Sequence, residues 1–392
     1  MTSDLSLTEE QLALRDVATR LAREVYAPLA APLDAAAQPL ASKERSRLAE
    51  LGFLGICLPT EFGGSEAPLL DALLVIEELA KECQPAAFQV FEANTGPARV
   101  IDLYGSEEQR ARLLPSIISG RTTLALSISE PDAGSAATDL TTTARRQGGH
   151  YVVTGSKRWC SGGGHAEQYL VYVRLTDDPG SRGIGALVVD GDSEGMSFGP
   201  QERLMGFRGF PSADIHFDDV HVPADNLIVP AGEFRDLFRA FSIERLGNAT
   251  MSLAIGQACL DRTAVYVQER RQFGRPIVDF QLTQAALADM IMQVEAARLL
   301  VWRAAQRAGR GTPVPLEASV AKCFSNEMAK RVTDLAMQLH GGYGYTVEYE
   351  IERRLRDAHG WALAGGTPSM QRIRIASEYL GRRFDQRVGG PS

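Results

Sequence analysis

Four stretches of the sequence place glycines beside hydroxyl, aromatic or basic side chains. This combination lets a backbone approach a flat or phosphorylated ligand closely. The stretches are LSISEPDAGSAATDL at 126–140, GSKRWCSGGGH at 155–165, QERRQFGRPIVDFQ at 268–281 and MQLHGGYGYTVEYEIERRLRDA at 337–358. In the first, a strand ending at Ser129 is predicted to enter a turn at Gly134 and Ser135, which could present N–H and hydroxyl donors to a ring or a phosphate.

The other three stretches allow similar interpretations, and each also has an ordinary one. Trp159 beside three glycines favours contact with a flat ligand, although an aromatic residue in a glycine-rich turn is more commonly structural. Arg270 ends a predicted helix, where a cation also interacts favourably with the helix dipole. Gly341 and Gly342 could admit a pyrophosphate, but a single glycine-rich turn is weak evidence.

The elements that must position these residues follow a helix, strand, helix order. Thr8 and Gln11 have the capping-box spacing that begins a helix, and β-branched, alternating segments separated by Gly-rich turns start near residue 121. Helical patterns return after HVPADNLIVPAGE. We therefore predict an N-terminal α domain at 1–120, a middle β domain at 121–230 and a C-terminal α domain at 231–392.

One helix of the C-terminal domain has a clear apolar periodicity. Starting from Thr283, the residues predicted to share its buried face are Leu287, Met290, Ile291, Val294 and Val301. The helix should end at RAGRGTPVP, where glycine and proline interrupt the pattern.

Charge and composition exclude several classes of function. The formal net charge is −8, with basic residues interspersed among acidic ones, which argues against a nucleic-acid partner. No apolar stretch approaches the roughly 20 residues of a membrane span, so we expect a cytoplasmic protein with no membrane partner. The five cysteines are widely spaced and the histidines form no HExxH motif, which predicts reduced thiols and no metal site.

In their order along the chain, SEPDAGS, GSKRWCSGGG, ERRQFGRPI, LHGGYGY and RRLRDA resemble successive motifs of the acyl-CoA dehydrogenase family. The resemblance runs from LTEEQ to QRIRIA, nearly the whole length. It implies an α+β multidomain fold with an N-terminal α-helical domain, a middle β-barrel or sandwich domain and a C-terminal four-helix-bundle domain. It also implies a dimer or dimer of dimers, with FAD between the β and C-terminal α domains and extending across a dimer interface.

The resemblance assigns roles to individual residues. The residues expected to contact the FAD of their own subunit are Ser129, Gly134, Ser135, Trp159, Ser161 and Thr367. Those expected to reach the FAD of the neighbouring subunit are Arg270, Phe273, Gln281, Gln338, Gly341 and Gly342. The residues expected to border the substrate are Ser135, Phe91, Phe241 and Arg245, although both phenylalanines could equally be core. Asp132 stands where the family usually has glycine.

The family reaction removes the α proton of an acyl thioester while hydride leaves the β carbon for the flavin, so it needs a carboxylate base and donors for the thioester carbonyl. Many relatives carry this base as the glutamate of a Tyr-Glu-Gly-Thr-Ser motif, where this chain has Gly365. Isovaleryl-CoA and long-chain acyl-CoA dehydrogenases instead place it on a long helix, just before an arginine. FSIERLGNA matches that arrangement, so we expect Glu244 to be the base and the Gly365 N–H to bind the thioester carbonyl. A Glu beside an Arg is otherwise usually a solvated pair.

The resemblance predicts desaturation of a short or branched acyl thioester, with an electron-transfer flavoprotein or another acceptor as partner. Alternatives remain open. The acyl group could be carried by an acyl carrier protein of a polyketide pathway and be desaturated beyond the α,β bond. The chain could also be a flavin monooxygenase of the same fold, an enoyl-thioester reductase, or a flavin-binding protein without catalytic activity.

Overall fold

The computed structural model describes residues 6–382 and residue 384. Its backbone divides into two compact units, Leu7–Glu244 and a second formed mainly by the chain from Arg245 onward. The division falls inside one long helix, so Glu244 is the last residue of the first unit. Helices occupy the chain up to Ile118, strands lie between Leu124 and Val229, and helices resume at Phe234. The domain limits at 120 and 230 stay a prediction.

The N-terminal part of the first unit is helical. Its helices are α1 Glu9–Leu21, α2 Ala27–Ala36, α3 Ser42–Glu50, α4 Leu69–Glu82, α5 Gln84–Asn94, α6 Pro97–Tyr104 and α7 Glu107–Ile118. The predicted capping box is present, since Gln11 N–H donates to Thr8 Oγ1 at 3.2 Å and Thr8 N–H donates to Gln11 Oε1 at 3.1 Å. A second capping box, which we did not predict, starts α7 at Ser106 and Gln109. Both satisfy N–H groups that a helix start leaves without an intrahelical partner.

The β part of the first unit is one sheet. Its strands are β1 Leu124–Ser127, β2 Thr143–Gln147, β3 His150–Ser161, β4 Gln168–Arg174, β5 Ile184–Asp190, β6 Met196–Phe198, β7 Ser212–Pro223 and β8 Leu227–Val229. They are hydrogen-bonded in the order β6-β7-β3-β2-β4-β5-β8, and β1 pairs with β4 in parallel. β3 and β7 are the longest strands and pair antiparallel, with register shifts between Val153 and Gly155 and between Lys157 and Cys160. The second shift marks a β-bulge, a feature that commonly redirects side chains beside functional sites.

The second unit is helical. Its elements are α8 Phe234–Glu269, which begins in the first unit, the short strands β9 Arg271–Gln272 and β10 Arg275–Pro276, and the helices α9 Gln281–Ala308, α10 Pro315–His340, α11 Ile351–Leu363 and α12 Pro368–Leu380. α10 packs extensively against α9, α11 and α12. Met290, Val294 and Val332 belong to the apolar core that results. Among the described residues, no helix combines the length and apolarity needed to cross a membrane.

The predicted buried face of α9 is correct at Met290, Val294 and Val301, but Leu287 is only half-buried and Ile291 is exposed. Met290, Val294 and Val301 are inaccessible to solvent, whereas Ile291 is 45% exposed. The buried positions continue through Ala297 and Ala304, which gives a stripe spaced by alternating steps of three and four residues. Such a stripe is narrower than the face we assumed, and a residue one position beyond its edge faces solvent.

This difference gives a first prediction. Met290→Ala should lower the free energy of unfolding by about 2–4 kcal/mol, because it leaves a cavity in the core. Ile291→Ala on the same helix should change it by less than about 1 kcal/mol. Urea unfolding followed by circular dichroism measures both, and equal losses would show that Ile291 belongs to the packed face.

Candidate functional site

The loop after β1 presents polar groups at an open turn. β1 ends at Ser127, two residues earlier than the strand end we predicted at Ser129. Arg158 N–H donates to Ser129 O at 2.8 Å, which ties this loop to β3. Gly134 and Ser135 are exposed, and a Cβ at Gly134 would meet no atom within 4 Å. The turn therefore has space for a ligand.

A buried ion pair lies beneath this loop. Glu130 Oε1 accepts from Lys157 Nζ at 2.8 Å and from Thr142 N–H at 2.9 Å, and its Oε2 accepts from Thr141 N–H at 2.6 Å and Thr141 Oγ1 at 2.8 Å. The two charged side chains are 4% and 0% exposed. Burial alone would raise the pKa of Glu130, but Lys157 and the hydrogen bonds outweigh it and lower the pKa to about 2. The carboxylate thus joins both ends of the loop to β3.

Trp159 sits at the β3 bulge in an unusual backbone conformation. Its φ is +61° and its side chain is 52% exposed. For a bulky residue this left-handed conformation costs roughly 1–2 kcal/mol. The Arg158 guanidinium lies 4.0 Å from the centroid of the indole ring, and it is held in turn by Asp214 and by Glu202 at 3.1 Å. The bulge thus holds a large aromatic surface out from the sheet.

The glycines after Trp159 make a tight turn at the end of β3. Ser161 is half-buried, and Gly162 has φ +85°. Tyr169 Oη donates to Gly162 O and accepts from Gly164 N–H, both at 3.0 Å. A Cβ at Gly163 would lie 2.9 Å from backbone atoms of Ala213, so this glycine is required for packing.

Glu244 does not form the solvated surface pair that its neighbour Arg245 would suggest. Its Oε2 atom is buried, and Arg245 is only 4% exposed. Burial raises the pKa of Tyr172 on β4, and the negative charge of nearby Glu244 raises it further. The Tyr172 ring also packs against Phe241 with 6.1 Å between centroids.

A second carboxyl group, Glu92 on α5, lies near Glu244. Burial raises the pKa of Glu92 to about 8, with Arg45 opposing the rise and the like charge of Glu244 adding to it. Arg45 donates to Gln89 Oε1 at 2.6 Å, one helical turn before Glu92. Burial raises the pKa of the Cys160 thiol to about 12, and the charge of Glu92 contributes, so Glu92 also faces β3. The first unit therefore gathers two carboxyl groups close to β3 and β4.

The two phenylalanines expected near the substrate differ in their surroundings. Phe91 is 4% exposed and stacks on Phe88 at 5.5 Å, and Phe88 contacts Phe210 at 4.7 Å. This aromatic stack is typical of a hydrophobic core. Phe241 is half-buried and lies one turn before Glu244 on α8. Phe241 is therefore the better placed of the two to border a ligand.

The second unit contains a cavity of about 520 Å³ beside the end of α10. It is lined by four of the predicted FAD residues, Arg270, Gln338, Gly341 and Gly342. A Cβ at either glycine would meet nothing within 4 Å. The Arg270 guanidinium lies 5.2 Å from the centroid of the Tyr343 ring. The structure thus brings together residues from two motifs about 70 positions apart.

Phe273 and Gln281 do not line that cavity in the described part of the chain. Phe273 is 95% exposed, with φ +50°, in the turn between β9 and β10. Gln281 is exposed at the first position of α9. Both assignments stay predictions, and the exposure of these side chains leaves them available to a neighbouring molecule.

The segment 364–367, which aligns with the relatives' Tyr-Glu-Gly-Thr-Ser motif and is called the closing motif, is held by buried polar side chains. Gly365 and Gly366 have φ values of +62° and +88°, a region that L residues rarely adopt. Lys322 Nζ donates to Ala364 O at 2.8 Å, and Gln371 Nε2 donates to Gly366 O at 3.0 Å. Thr367 caps α12, since its Oγ1 accepts from Met370 N–H at 3.4 Å. A Thr367 hydroxyl that accepts in this way still has its proton to donate.

Family models match three consecutive parts of the chain. They describe the N-terminal, middle and C-terminal domains of acyl-CoA dehydrogenase and cover residues 8–121, 125–220 and 234–380. The chain belongs to the acyl-CoA dehydrogenase family. Members are oxidoreductases that act on CH–CH bonds of acyl thioesters with FAD as cofactor. The three-part fold predicted from the sequence is thereby confirmed.

Named relatives show a range of reactions within this family. The chain is 40% identical to the 3-sulfinopropanoyl-CoA desulfinase of Paraburkholderia xenovorans, over 97% of this chain and 98% of that protein. It is 34% identical to the 3-(aryl)acrylate reductase of Clostridium sporogenes, over 95% and 99%.

Solved structures share the fold. Butyryl-CoA dehydrogenase of Megasphaera elsdenii has a TM-score of 0.92 at 31% identity, covering 96% of this chain and 100% of that chain. A structure described as the electron transferring flavoprotein of Acidaminococcus fermentans has a TM-score of 0.93 at 35% identity, covering 96% and 99%.

The residues present fit FAD. Gly341 and Gly342 open onto a cavity that contains Arg270, as a phosphate-bearing ligand requires. On the first unit, Trp159 presents an exposed aromatic face, and the turn at Gly134 has open space around it. Each feature, within its own unit, matches one part of FAD: the aromatic face suits a flat ring, and the glycine-lined cavity suits a phosphate.

Sequence reasoning missed the buried charges that hold these loops. Lys157, Glu130 and Lys322 are all buried, and the segments that contain them also carry other polar and charged residues, so the sequence does not distinguish these three from solvated charges. Lys322 and Asn326 are also four positions apart on α10, the spacing of side chains that meet on one helix face.

The Glu130 ion pair gives a second prediction. Glu130→Gln leaves the Lys157 ammonium buried without its carboxylate, and the free energy of unfolding at pH 7 should fall by about 3–5 kcal/mol. Because folding lowers the pKa of Glu130, the ionised carboxylate contributes fully to the free energy of unfolding above the ordinary glutamate pKa. This contribution is lost as pH falls toward about 2. Wild-type stability should therefore decline more steeply than that of the variant between pH 5 and 3. Urea titrations test this, with exposed Glu50→Gln as control. Parallel pH curves for wild type and variant would contradict the assignment.

Glu92 gives a third prediction of opposite sign. Folding raises its pKa, so its contribution is fully present below the ordinary glutamate pKa and is lost as pH rises through about 8. At pH 7 Glu92 must take up a proton on folding, because its folded pKa lies above 7 and its unfolded pKa lies well below. Glu92→Gln removes the free-energy cost of this protonation and should stabilise the protein by roughly 2 kcal/mol at pH 7. Urea unfolding at pH 5, 7 and 9 should show a gain that grows with pH. The exposed Glu61→Gln is the control, and a gain independent of pH would refute the prediction.

Proposed function

We propose that this protein is an FAD-dependent dehydrogenase of short or branched acyl-CoA thioesters in which Glu244 removes the α proton. The observation that carries the proposal is the burial of one Glu244 carboxylate oxygen close to Tyr172 and Glu92, with Phe241 packed against Tyr172. A carboxylate kept in such a setting is placed for proton abstraction rather than for a surface ion pair. Gly365, at the position where many relatives carry the base, has no side chain that could take the role.

The proposed chemistry divides between the chain and its cofactor. Glu244 accepts the proton as the α C–H bond breaks, and the electron pair moves toward the thioester carbonyl. The Gly365 N–H donates to that carbonyl oxygen and stabilises the negative charge that develops there. FAD, when bound, supplies the acceptor for the hydride that leaves the β carbon. Trp159 and Ser129 would hold the flavin ring, and Thr367 would donate its hydroxyl proton to the cofactor.

The names of two relatives support the proposed substrate class. One relative is named for a 3-sulfinopropanoyl-CoA and one structural neighbour for butyryl-CoA, and both names denote short acyl groups on coenzyme A. An acyl group on a carrier protein is the alternative that a substrate panel must include.

Reduction of an enoyl thioester is a second candidate function. The relative named 3-(aryl)acrylate reductase supports this second candidate. The same residues would then act in reverse, with the Glu244 carboxyl returning a proton to the α carbon. The direction of the reaction depends on the electron donor or acceptor, and an electron-transfer flavoprotein is the partner we propose because of the structural neighbour described under that name.

We also propose a homo-oligomer. Four apolar side chains on the second unit are mostly exposed, namely Phe273 at 95%, Leu282 at 87%, Tyr345 at 83% and Val347 at 70%. Exposed apolar residues on this scale are a common sign of a protein–protein interface. A second copy of the chain is the occupant expected from the predicted role of Phe273.

The fourth prediction tests the base directly. Glu244→Gln keeps the size of the side chain but cannot accept the α proton, so anaerobic reduction of the bound flavin by an acyl-CoA should slow about a thousandfold. Butanoyl-, isovaleryl- and 3-sulfinopropanoyl-CoA, with a butanoyl carrier protein, form the panel, and stopped-flow absorbance at the flavin band is the measurement.

The matched control is Glu233→Gln, an exposed glutamate just before α8. It should bind FAD and react like the wild type. A Glu244→Gln protein with full FAD content that is reduced at the wild-type rate would show that another group is the base. Mass analysis of the product separates desaturation from other outcomes.

A further inference from the structure

A closed ring of hydrogen bonds lies inside the second unit, next to the closing motif. Lys322 Nζ donates to Ala364 O at 2.8 Å and to Asn326 Oδ1 at 3.0 Å. Asn326 Nδ2 donates to Asn248 Oδ1 at 3.0 Å, and Asn248 Nδ2 donates to Ala364 O at 3.3 Å. The side chains of Lys322, Asn326 and Asn248 are all fully buried. The ring therefore holds an ammonium group and an amide against a single peptide oxygen.

That oxygen belongs to the peptide whose N–H is the Gly365 N–H. The peptide is planar, and the described chain has no cis bonds, so the C=O of Ala364 and the N–H of Gly365 point in opposite directions. Lys322 thus contacts the carbonyl oxygen of this peptide, and the N–H of the same peptide points away from Lys322. Drawing electron density toward the carbonyl oxygen makes the same peptide's N–H a stronger donor, because hydrogen bonds in a chain polarise one another.

We propose that Lys322 polarises the Ala364–Gly365 peptide and thereby strengthens the Gly365 N–H as a donor to the developing oxyanion of the substrate. The inference rests on the proposed function, in which Gly365 N–H binds the thioester carbonyl. Lys322 does not contact the substrate in this scheme. It is a positioning residue that acts through the peptide bond.

The choice of side chain supports an electrostatic role beyond simple loop anchoring. Holding the Ala364 carbonyl requires only a neutral donor, and Asn248 already supplies one at the same oxygen. A fully buried lysine instead carries a desolvation cost that a neutral donor avoids. An ammonium group acts on a peptide dipole more strongly than an amide does, since charge-assisted hydrogen bonds are about twice as strong as neutral ones.

The proton transfer shows which form of the bound ligand the hydrogen-bond ring should stabilise. The α C–H bond of the thioester breaks, its proton moves to the Glu244 carboxylate, and the electron pair is shared by the α carbon and the carbonyl oxygen. Only the ionised ligand, from which the α proton has left, carries extra negative charge at the carbonyl oxygen. Lys322 should therefore favour the ionised ligand and leave the affinity for the un-ionised ligand nearly unchanged.

The experiment uses the FAD-loaded enzyme with 3-thiabutanoyl-CoA. Sulfur replaces the β carbon of this probe, so its α proton can leave but no hydride can follow. The long-wavelength absorbance of the enolate against oxidised flavin, titrated with pH, reports the α-proton acidity of the bound ligand. Lys322→Met should weaken that acidity about tenfold, less than the 10²–10³ lost when an oxyanion donor is removed outright. Binding of the probe at low pH should stay within about twofold of wild type. With butanoyl-CoA as the turnover substrate, kcat should fall with little change in KM.

Thr333→Val is the matched control, because Thr333 is a buried polar residue of the same helix whose hydroxyl bonds only within that helix. It should leave the α-proton acidity unchanged. If Lys322→Met does not fold, Lys322→Gln provides the same test with a neutral polar side chain. An unchanged acidity in a folded Lys322 variant would overturn the inference, as would equal weakening of the ionised and un-ionised ligands, which indicates a loosened loop.

The wild-type and Glu244→Gln measurements separate this failure from that of the proposed function. A wild-type enzyme that binds the probe but never ionises it, or a Glu244→Gln variant that ionises it as well as wild type, would refute the proposed base. If wild type ionises the probe, Glu244→Gln does not, and the Lys322 variants ionise it as well as wild type, then the inference about Lys322 is refuted and the proposed base is not.

Discussion

The buried ion pair of Glu130 with Lys157 is the interaction on which the 130–142 loop and the adjoining end of β3 depend. A charge that is removed from water is tolerated only when donors surround it, and these come from Thr141, Thr142 and Lys157. Thr141 and Thr142 lie together at the end of the 130–142 loop and Lys157 lies on β3, so satisfying one carboxylate joins the start and end of the loop to β3. The strain at Trp159, two residues after Lys157, is sustained because this surrounding structure is already held in place.

The second unit uses the opposite charge for a similar purpose. Lys322 is a buried cation whose donors are taken up by Ala364 O and Asn326 Oδ1. Gly365 and Gly366 are the most flexible residue type, and a motif that contains both would sample many conformations if its carbonyls were free. In both units, therefore, a glycine-bearing loop is made rigid by one buried charge. A functional backbone N–H must be preorganised in this way, since a donor that has to reorient during the reaction contributes less.

The sequence was sufficient for the fold and for the identity of the motifs, and insufficient for the connections between them. Periodicity found the helices and strands, because hydrophobic burial acts on short windows of sequence. It placed Ile291 wrongly because the width of a buried face depends on the neighbouring helices. The Lys322–Ala364 contact joins residues about 40 positions apart and the Glu130–Lys157 pair joins residues about 30 apart, and one sequence contains no local signal for such pairings. Glu92 was missed for the same reason, since its environment is set by Arg45, Cys160 and Glu244 from three other elements.

The conformation of Gly365 changes how its lack of a side chain should be interpreted. A φ of +62° would by itself favour glycine at this position, so the residue type does not require that a catalytic carboxylate has moved elsewhere. The argument for Glu244 must then depend on the surroundings of Glu244 itself. Its buried oxygen and its electrostatic coupling to Tyr172 and Glu92 supply that independent support. The proposed role of Gly365 has a different basis, namely a peptide whose φ suits glycine and whose preceding carbonyl is held by Lys322.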